Sequence, residues 1–424
     1  MNSVPRGAMI LFLVLFGSKV LGSLSFHSTT SSTIPRVSRS SSSRRISTLT
    51  TNKKRNKPRP DLRMEAAPTP ISSAFAKTVM SSLRGGALLQ ATGAGAASCA
   101  MATAAAMQSG PLGVAALTLI GSFVIAPLTL YRQGYSFSVG YGFGIMAMGL
   151  SLLKVFWDES LMYSALALAS AANSGGEFVS YLTQSSPILL VTSMLFYGFR
   201  LGSFLLLREW TVPSKQKQIK SFDKSPPLKR IPFSISVSIF YAFMVTPVLY
   251  SCRQMSSNGG TNSIIALIGA IMAWSGALLE SVADFHKFLV KRGKDGSEDF
   301  VGPMNGVYAM SRHPNYLGEI MYWSGILVAG VPSFKRSPIA WICSTLGFVG
   351  IYKIMTSATD RLEKKQDEAY GSQQLYKQWK MKVSSKLFPT DPVSFFVPSI
   401  VLLFGTGLAI KLIELICKYA TGMP

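Results

Sequence analysis

Apolar segments recur along this chain near 111–130, 138–156, 187–207, 233–250, 263–283, 316–332, 338–356 and 393–410. Another, 161–173, is shorter than the roughly 20 residues a helix needs to cross a bilayer. No other feature constrains the fold as much. In hydrocarbon every backbone N–H and C=O must be paired within its own segment, so such segments become helices. The sequence predicts an all-α, polytopic transmembrane helix bundle of about 7–9 spans. Composition agrees, with 48% hydrophobic residues, 14% charged residues and a mean hydropathy of +0.31.

The net charge of +23 points to nucleic acid only if its placement is ignored. Residues 1–65 hold a surplus of ten positive charges, and most of the rest lies in loops between apolar runs. Arg208–Arg230 holds seven Lys/Arg, Lys287–Arg312 five and Arg361–Lys386 seven. Two predicted spans separate each stretch from the next, so all three fall on one face, as the positive-inside rule requires. The predicted partners are the bilayer and a hydrophobic lipid, not nucleic acid. Four scattered cysteines and three histidines form no Cys/His cluster, so neither a metal site nor a disulfide framework is expected.

At the N-terminus, Ala8–Val20 is a short apolar core after Arg6, with small residues at Ser23 and Ser25. This predicts a signal peptide over 1–25. Residues 26–65 are rich in Ser, Thr and Arg and poor in acid, the composition of a transit peptide. Together they resemble the bipartite presequence of plastid proteins in algae with secondary plastids, which implies a plastid membrane reached by the secretory route. An ordinary secretory signal with a disordered linker, and hence the endoplasmic reticulum, is the alternative. Residues 66–110 read as an Ala/Gly-rich linker or weak helix, 111–260 as N-terminal membrane helices, 261–390 as a C-terminal domain and 391–424 as a last membrane helix.

Ionisable groups inside apolar segments are costly and mark pairing or function. Arg200 stands in Phe-Tyr-Gly-Phe-Arg-Leu-Gly-Ser-Phe. Glu280, Asp284 and Lys287 share one helical face by spacing. Their bland reading is an ion-pair cluster in which Arg200 or Arg312 meets Glu280. The densest polar stretch is Gly306–Glu319, where Arg312, His313, Asn315, Tyr316 and Glu319 flank Pro314. Pro314 suits the first position of a helix, and a helix start attracts anions. A snorkelling arginine and an interfacial tyrosine are the ordinary alternative.

These residues form a pattern. Glu280-x-x-x-Asp284-x-x-Lys287, Ser311-Arg312-His313-Pro314-Asn315-Tyr316-x-Gly318-Glu319 and Trp323-x-Gly325 resemble membrane reductases with a steroid 5-alpha-reductase C-terminal domain. Arg361-Leu-Glu363, Tyr370-Gly371, Tyr376-x-x-Trp379 and Leu387-Phe-Pro389 continue the likeness. It runs from about 111 to 390, is specific only in its C-terminal half, and points to an uncharacterised branch of that group. The related isoprenylcysteine carboxyl methyltransferases share Arg-His-Pro-x-Tyr-x-Gly but bind S-adenosylmethionine. They carry paired glutamates where this chain reads Glu363-Lys364-Lys365.

The resemblance implies an NADPH-dependent reductase of an activated C=C bond in a lipid such as a sterol or isoprenoid. Its cofactor would lie in a cavity opening to the basic face, held by Glu280, Asp284, Lys287, Arg312, His313, Asn315, Tyr316, Glu319 and Arg361. Tyr316 is the expected catalytic residue, and Tyr141, Tyr163 and Glu177 are proton-donor candidates by location. The alternatives are an S-adenosylmethionine-dependent methyltransferase and a non-catalytic lipid-binding protein. No G-x-G-x-x-G opens a helix after a strand, so a soluble nucleotide-binding fold is not expected.

Overall fold

The computed structural model describes residues 98–171, 177–258, 263–294, 299–389 and 392–421. The expected signal and transit segments lie outside the described residues. A helical stretch at 98–108 leads into α1 (Gly113–Tyr131), α2 (Val139–Phe156) and, after a π-helical turn, the ten-residue α3 (Met162–Ala171). Then follow α4 (Phe178–Gln184), α5 (Ser186–Thr211), α6 (Pro213–Lys220), α7 (Ile231–Asn258) and α8 (Ile264–Lys291). The remainder is α9 (Pro314–Phe334), α10 (Pro338–Tyr370), α11 (Gln374–Lys382) and α12 (Pro392–Thr421).

The described residues form an all-α, polytopic membrane bundle. Six helices (α1, α2, α5, α8, α10 and the run Pro227–Ser257 around α7) are long and apolar enough to cross a bilayer. The 21-residue α9 runs beside α8 over the same depth. The apolar segment at 161–173 becomes α3, too short to span. Helix starts follow local chemistry. The Ser263 hydroxyl accepts from Ala266 N at the start of α8, and Ser337 accepts from Ala340 N at the start of α10. Pro314 and Pro338 open α9 and α10, where the missing N–H costs nothing.

Small residues set how closely the helices approach. A methyl group at Gly276 would lie 2.3 Å from the Tyr322 backbone nitrogen, and one at Gly325 would lie 2.4 Å from that of Ala273. Gly269 meets Ala329 and Gly318 meets Glu280 in the same way. Rising numbers on α8 thus pair with falling numbers on α9, so the two are antiparallel and almost in backbone contact. Gly142 of α2 and Gly198 and Gly202 of α5 make a second such crossing. On its other side α8 holds α12, through Ser275 and Thr406 hydroxyls 2.9 Å apart.

These directions bring one end of each principal helix together. The last turns of α5, α8 and α10 and the first turn of α9 meet at the basic end. There Arg200 of α5 reaches Asp284 of α8, and Arg312 reaches Glu363 of α10. The three basic loops therefore share one face. At that face Asp223 pins the loop before α7 to the α1–α2 turn, accepting from Arg132 at 2.8 Å and from Gln133 N at 2.8 Å. Those bonds hold the Asp223 carboxyl below its usual range, against the opposing effect of its partial burial.

Candidate functional site

Two polar clusters lie where α2, α5, α8, α9 and α10 converge. The deeper one centres on Arg200. Its guanidinium sits 2.9 Å from Glu280 Oε1 and 3.0 Å from Asp284 Oδ2, and all three side chains are buried. Asn315, in the first turn of α9, donates to Asp284 Oδ1 at 3.3 Å. One helical turn on, Glu319 is buried and accepts from the Tyr141 hydroxyl at 2.9 Å. Tyr141 in turn accepts from Trp323 Nε1 at 2.7 Å and lies 3.1 Å from the Tyr197 hydroxyl. Rings enclose this network: Tyr197 stacks on Tyr322 at 4.1 Å, and Tyr141 packs against Tyr241 at 4.7 Å. The Arg200 guanidinium stands 5.6 Å from the centre of the Tyr197 ring.

Two carboxyl groups thus contact one guanidinium, and a third, Glu319, lies within its Coulombic reach. Lys287, half-buried on the same face of α8, lies within Coulombic reach of Asp284 but has no ion-pair partner among the described residues. Even with Lys287 counted, the carboxyl groups here outnumber the cations by one, and an isolated buried charge is costly away from water, so the surplus group is most stable in its neutral form.

The second cluster, toward the basic end, closes around Glu363. Arg312 donates to both of its carboxylate oxygens, at 3.1 and 2.9 Å, and to the carbonyls of Val383 and Ser384 at 2.7 and 2.8 Å. The Arg312 backbone N–H adds a bond to Ser385 O. Glu363 Oε1 also lies 2.7 Å from His313 Nε2. A carboxylate can only accept, so Nε2 carries the proton and Nδ1, which has no partner, is an acceptor in the neutral ring. Tyr316 stacks on the His313 ring at 5.7 Å.

Burial holds the His313 imidazole below its ordinary pKa, outweighing the bond to Glu363 that raises it. A folded value below the unfolded one means that stability is full above about pH 6.5 and falls as pH drops below it. The melting temperature in detergent is therefore expected to fall between pH 7 and pH 5, and to fall less in His313→Gln. Equal slopes in the two proteins contradict this.

Seven of the nine expected cofactor residues sort into two groups. Glu280, Asp284, Asn315 and Glu319 gather around Arg200. His313, Tyr316 and Lys287 lie beside them toward the basic end, with His313 and Lys287 in Coulombic reach of one another. Arg312 differs from expectation: its charge is committed to Glu363 and two carbonyls instead of facing an anion at the helix mouth. Arg361 is exposed on α10 and makes no direct bond to either network, lying only within Coulombic reach of Tyr316. Of the proton-donor candidates, only Tyr141 reaches the cluster. Tyr163 and Glu177 are exposed, and Tyr163 follows the end of α2 that points away from the basic face, so the chain has left the site before reaching it. The expected open cavity is also absent around the Arg200 cluster, where Arg200, Glu280, Asp284 and Glu319 are each at most 8% exposed and pack on one another. A hollow beside Trp323, lined by Met244, Pro247 and Phe348, admits no water.

Local pattern did not single out Tyr197 or Tyr322, nor the partnership of Glu363. A tyrosine three residues before an intramembrane arginine was the available signal for Tyr197.

The sequence model of a family described as "Protein of unknown function (DUF1295)" matches residues 149–383, a stretch holding both clusters except Tyr141 and the segment after Val383. No curated protein and no solved structure matches the chain.

Proposed function

We propose that this chain, which belongs to the DUF1295 family by a match over more than half of its length, is an NADPH-dependent reductase of an activated C=C bond in a membrane lipid. The observation that carries the reading is the set of cations beside the buried acids. Lys287 has Arg208 and Lys291 within Coulombic reach, and Tyr316 has Arg208 and Arg361. Such a convergence attracts anions, and a 2′-phosphate with a pyrophosphate is an anion of suitable charge.

Residues deeper in the site suit the rest of such a nucleotide. Glu280 Oε2, Asn315 Oδ1 and His313 Nδ1 are buried acceptors without partners, and amide and hydroxyl donors would satisfy them. NADPH, when bound, supplies the hydride; the protein must supply a proton and exclude water. Tyr141 is the residue we assign to the proton: it holds its hydroxyl hydrogen toward Glu319 while Trp323 fixes the oxygen from the other side. Tyr316, stacked on His313, would then orient the cofactor. The resemblance to steroid 5-alpha-reductase domains supports the reaction class, and the apolar bundle supports a sterol or isoprenoid substrate in a plastid or endoplasmic reticulum membrane. The Arg312–Gly318 motif, shared with the isoprenylcysteine carboxyl methyltransferases, keeps S-adenosylmethionine-dependent methyl transfer as the second reading.

Lys287→Met is expected to weaken NADPH binding by about tenfold or more, since a hydrogen bond to a charged group contributes about 1.5–3 kcal/mol. Titration of the purified protein measures it, and unchanged affinity removes the phosphate assignment. In cells, loss of the protein should accumulate a lipid carrying one more double bond than its product.

A further inference from the structure

The chain from the end of α5 to the start of α7 is built as one surface at the basic face. Residues 208–230 carry seven Lys/Arg against two acids, Glu209 and Asp223. Asp223 is engaged within the protein, by Arg132, Arg230 and the Gln133 N–H. Glu209 is partly buried and bonds the Tyr135 hydroxyl. Lys217, Lys220, Lys224 and Lys229 are left exposed, and none has an ion-pair partner among the described residues. A second observation is the apolar material between these lysines. Trp210 is 65% exposed, Leu228 is 75% exposed, and Phe222 is also exposed. α6, which carries Lys217 and Lys220, buries none of its residues. The surface is nonetheless fixed. Gly134 of the α1–α2 turn packs beside Ile219 and Phe222, and the Phe222 and Phe137 rings meet edge to face at 5.0 Å.

Depth decides the partner. The 26 residues of α5 make a helix about 39 Å long, against a hydrocarbon core of roughly 30 Å. Its last turn, with Arg208 and Trp210, therefore lies among the headgroups, and α6 follows after one residue. Apolar side chains set among lysines suit that layer, because the former reach toward acyl chains and the ammonium groups toward phosphates. A polyanion in solution would use the lysines and leave the apolar side chains in water. We infer that residues 208–230 form a binding surface for anionic lipid headgroups in the leaflet at the basic face, with Lys217, Lys220, Lys224 and Lys229 contacting the phosphates. The inference is independent of the proposed reaction. Membrane orientation needs only net charge, whereas a lipid-binding surface needs lysines and apolar side chains held together, as Asp223 and the α1–α2 turn hold them.

The test uses the full-length protein in neutral detergent. It is mixed with equal parts of phosphatidylglycerol and phosphatidylcholine, repurified by gel filtration, and its retained lipid is measured by mass spectrometry. Wild type should retain phosphatidylglycerol about fivefold over phosphatidylcholine, the effect of one lysine at an anionic surface, and less at high salt. Lys217→Gln, Lys220→Gln, Lys224→Gln and Lys229→Gln together should bring the ratio close to unity, while arginine at the same four positions should preserve it. Lys364→Gln, Lys365→Gln, Lys377→Gln and Lys382→Gln together, exposed positions on α10 and α11, should leave it unchanged. Equal retention of the two lipids by wild type overturns the inference, whether or not any variant folds. An equal loss in both glutamine variants also overturns it, since the preference would then belong to the charge of the whole face. Displacement of the lipid by soluble glycerol phosphate at the same concentration would make the ligand a free phosphate. Binding of an RNA oligonucleotide without lipid preference would make it a nucleic acid. Either result overturns the lipid assignment.

Discussion

Replacing Arg200 by methionine should abolish accumulation of folded protein. The substitution removes the one cation paired with Glu280 and Asp284 among the described residues, at 2.9 and 3.0 Å, while both carboxyls stay buried. Breaking a buried pair from one side costs about 3–5 kcal/mol, because the remaining charge keeps its desolvation penalty. Stability is typically about 5–15 kcal/mol, so a loss of this size consumes much of it. The rescue is specific. Arg200→Met combined with Glu280→Gln and Asp284→Asn should recover folded protein, since removing both sides of a buried pair is often nearly neutral. The check is the monodisperse fraction after detergent extraction, compared with wild type. A single Arg200→Met that accumulates normally would mean the pair contributes nothing to folding.

Arg312→Ala should have the second largest effect, and for a reason other than lost cofactor contact. Four guanidinium bonds tie α9 to Glu363 and to the Val383–Ser384 carbonyls, with Arg312 8% and Glu363 6% exposed. Without them Glu363 keeps, among the described residues, only His313 and a lysine, Lys380, 3.8 Å away. A stability loss of about 3–5 kcal/mol is expected, read as a large drop in melting temperature before any nucleotide is added. The segment following α11 should become susceptible to protease near 383–386, because its anchors are gone. Unchanged melting with lost nucleotide binding would instead place Arg312 at an anion. For this reason Lys287, which no acid neutralises by direct contact among the described residues, is the better test of the phosphate side.

The helices and the shared basic face could be read from the chain because both follow from strong, local terms. Twenty-residue apolar stretches have one structural solution in lipid, and Pro314 marks a helix start by its missing N–H. Arg200, Glu280 and Asp284 stood out because charge inside an apolar segment is expensive. Which partners they would choose was not legible, since that depends on helix rotation and on the close Gly276–Tyr322 and Gly318–Glu280 approaches. Glu363 shows the limit well. Its sequence neighbours suggested a broken cofactor motif, whereas its environment is the pairing of Arg312 and His313 across 51 and 50 residues. Tyr141 and Glu319, 178 residues apart, meet only because α2 and α9 flank the same space.

The most direct measurement of the cofactor is parallel titration of the purified protein with NADPH and with S-adenosylmethionine. The expected result is saturable binding of NADPH, weakened in Lys287→Met, and much weaker binding of S-adenosylmethionine. Saturable S-adenosylmethionine binding with no response to NADPH would contradict it.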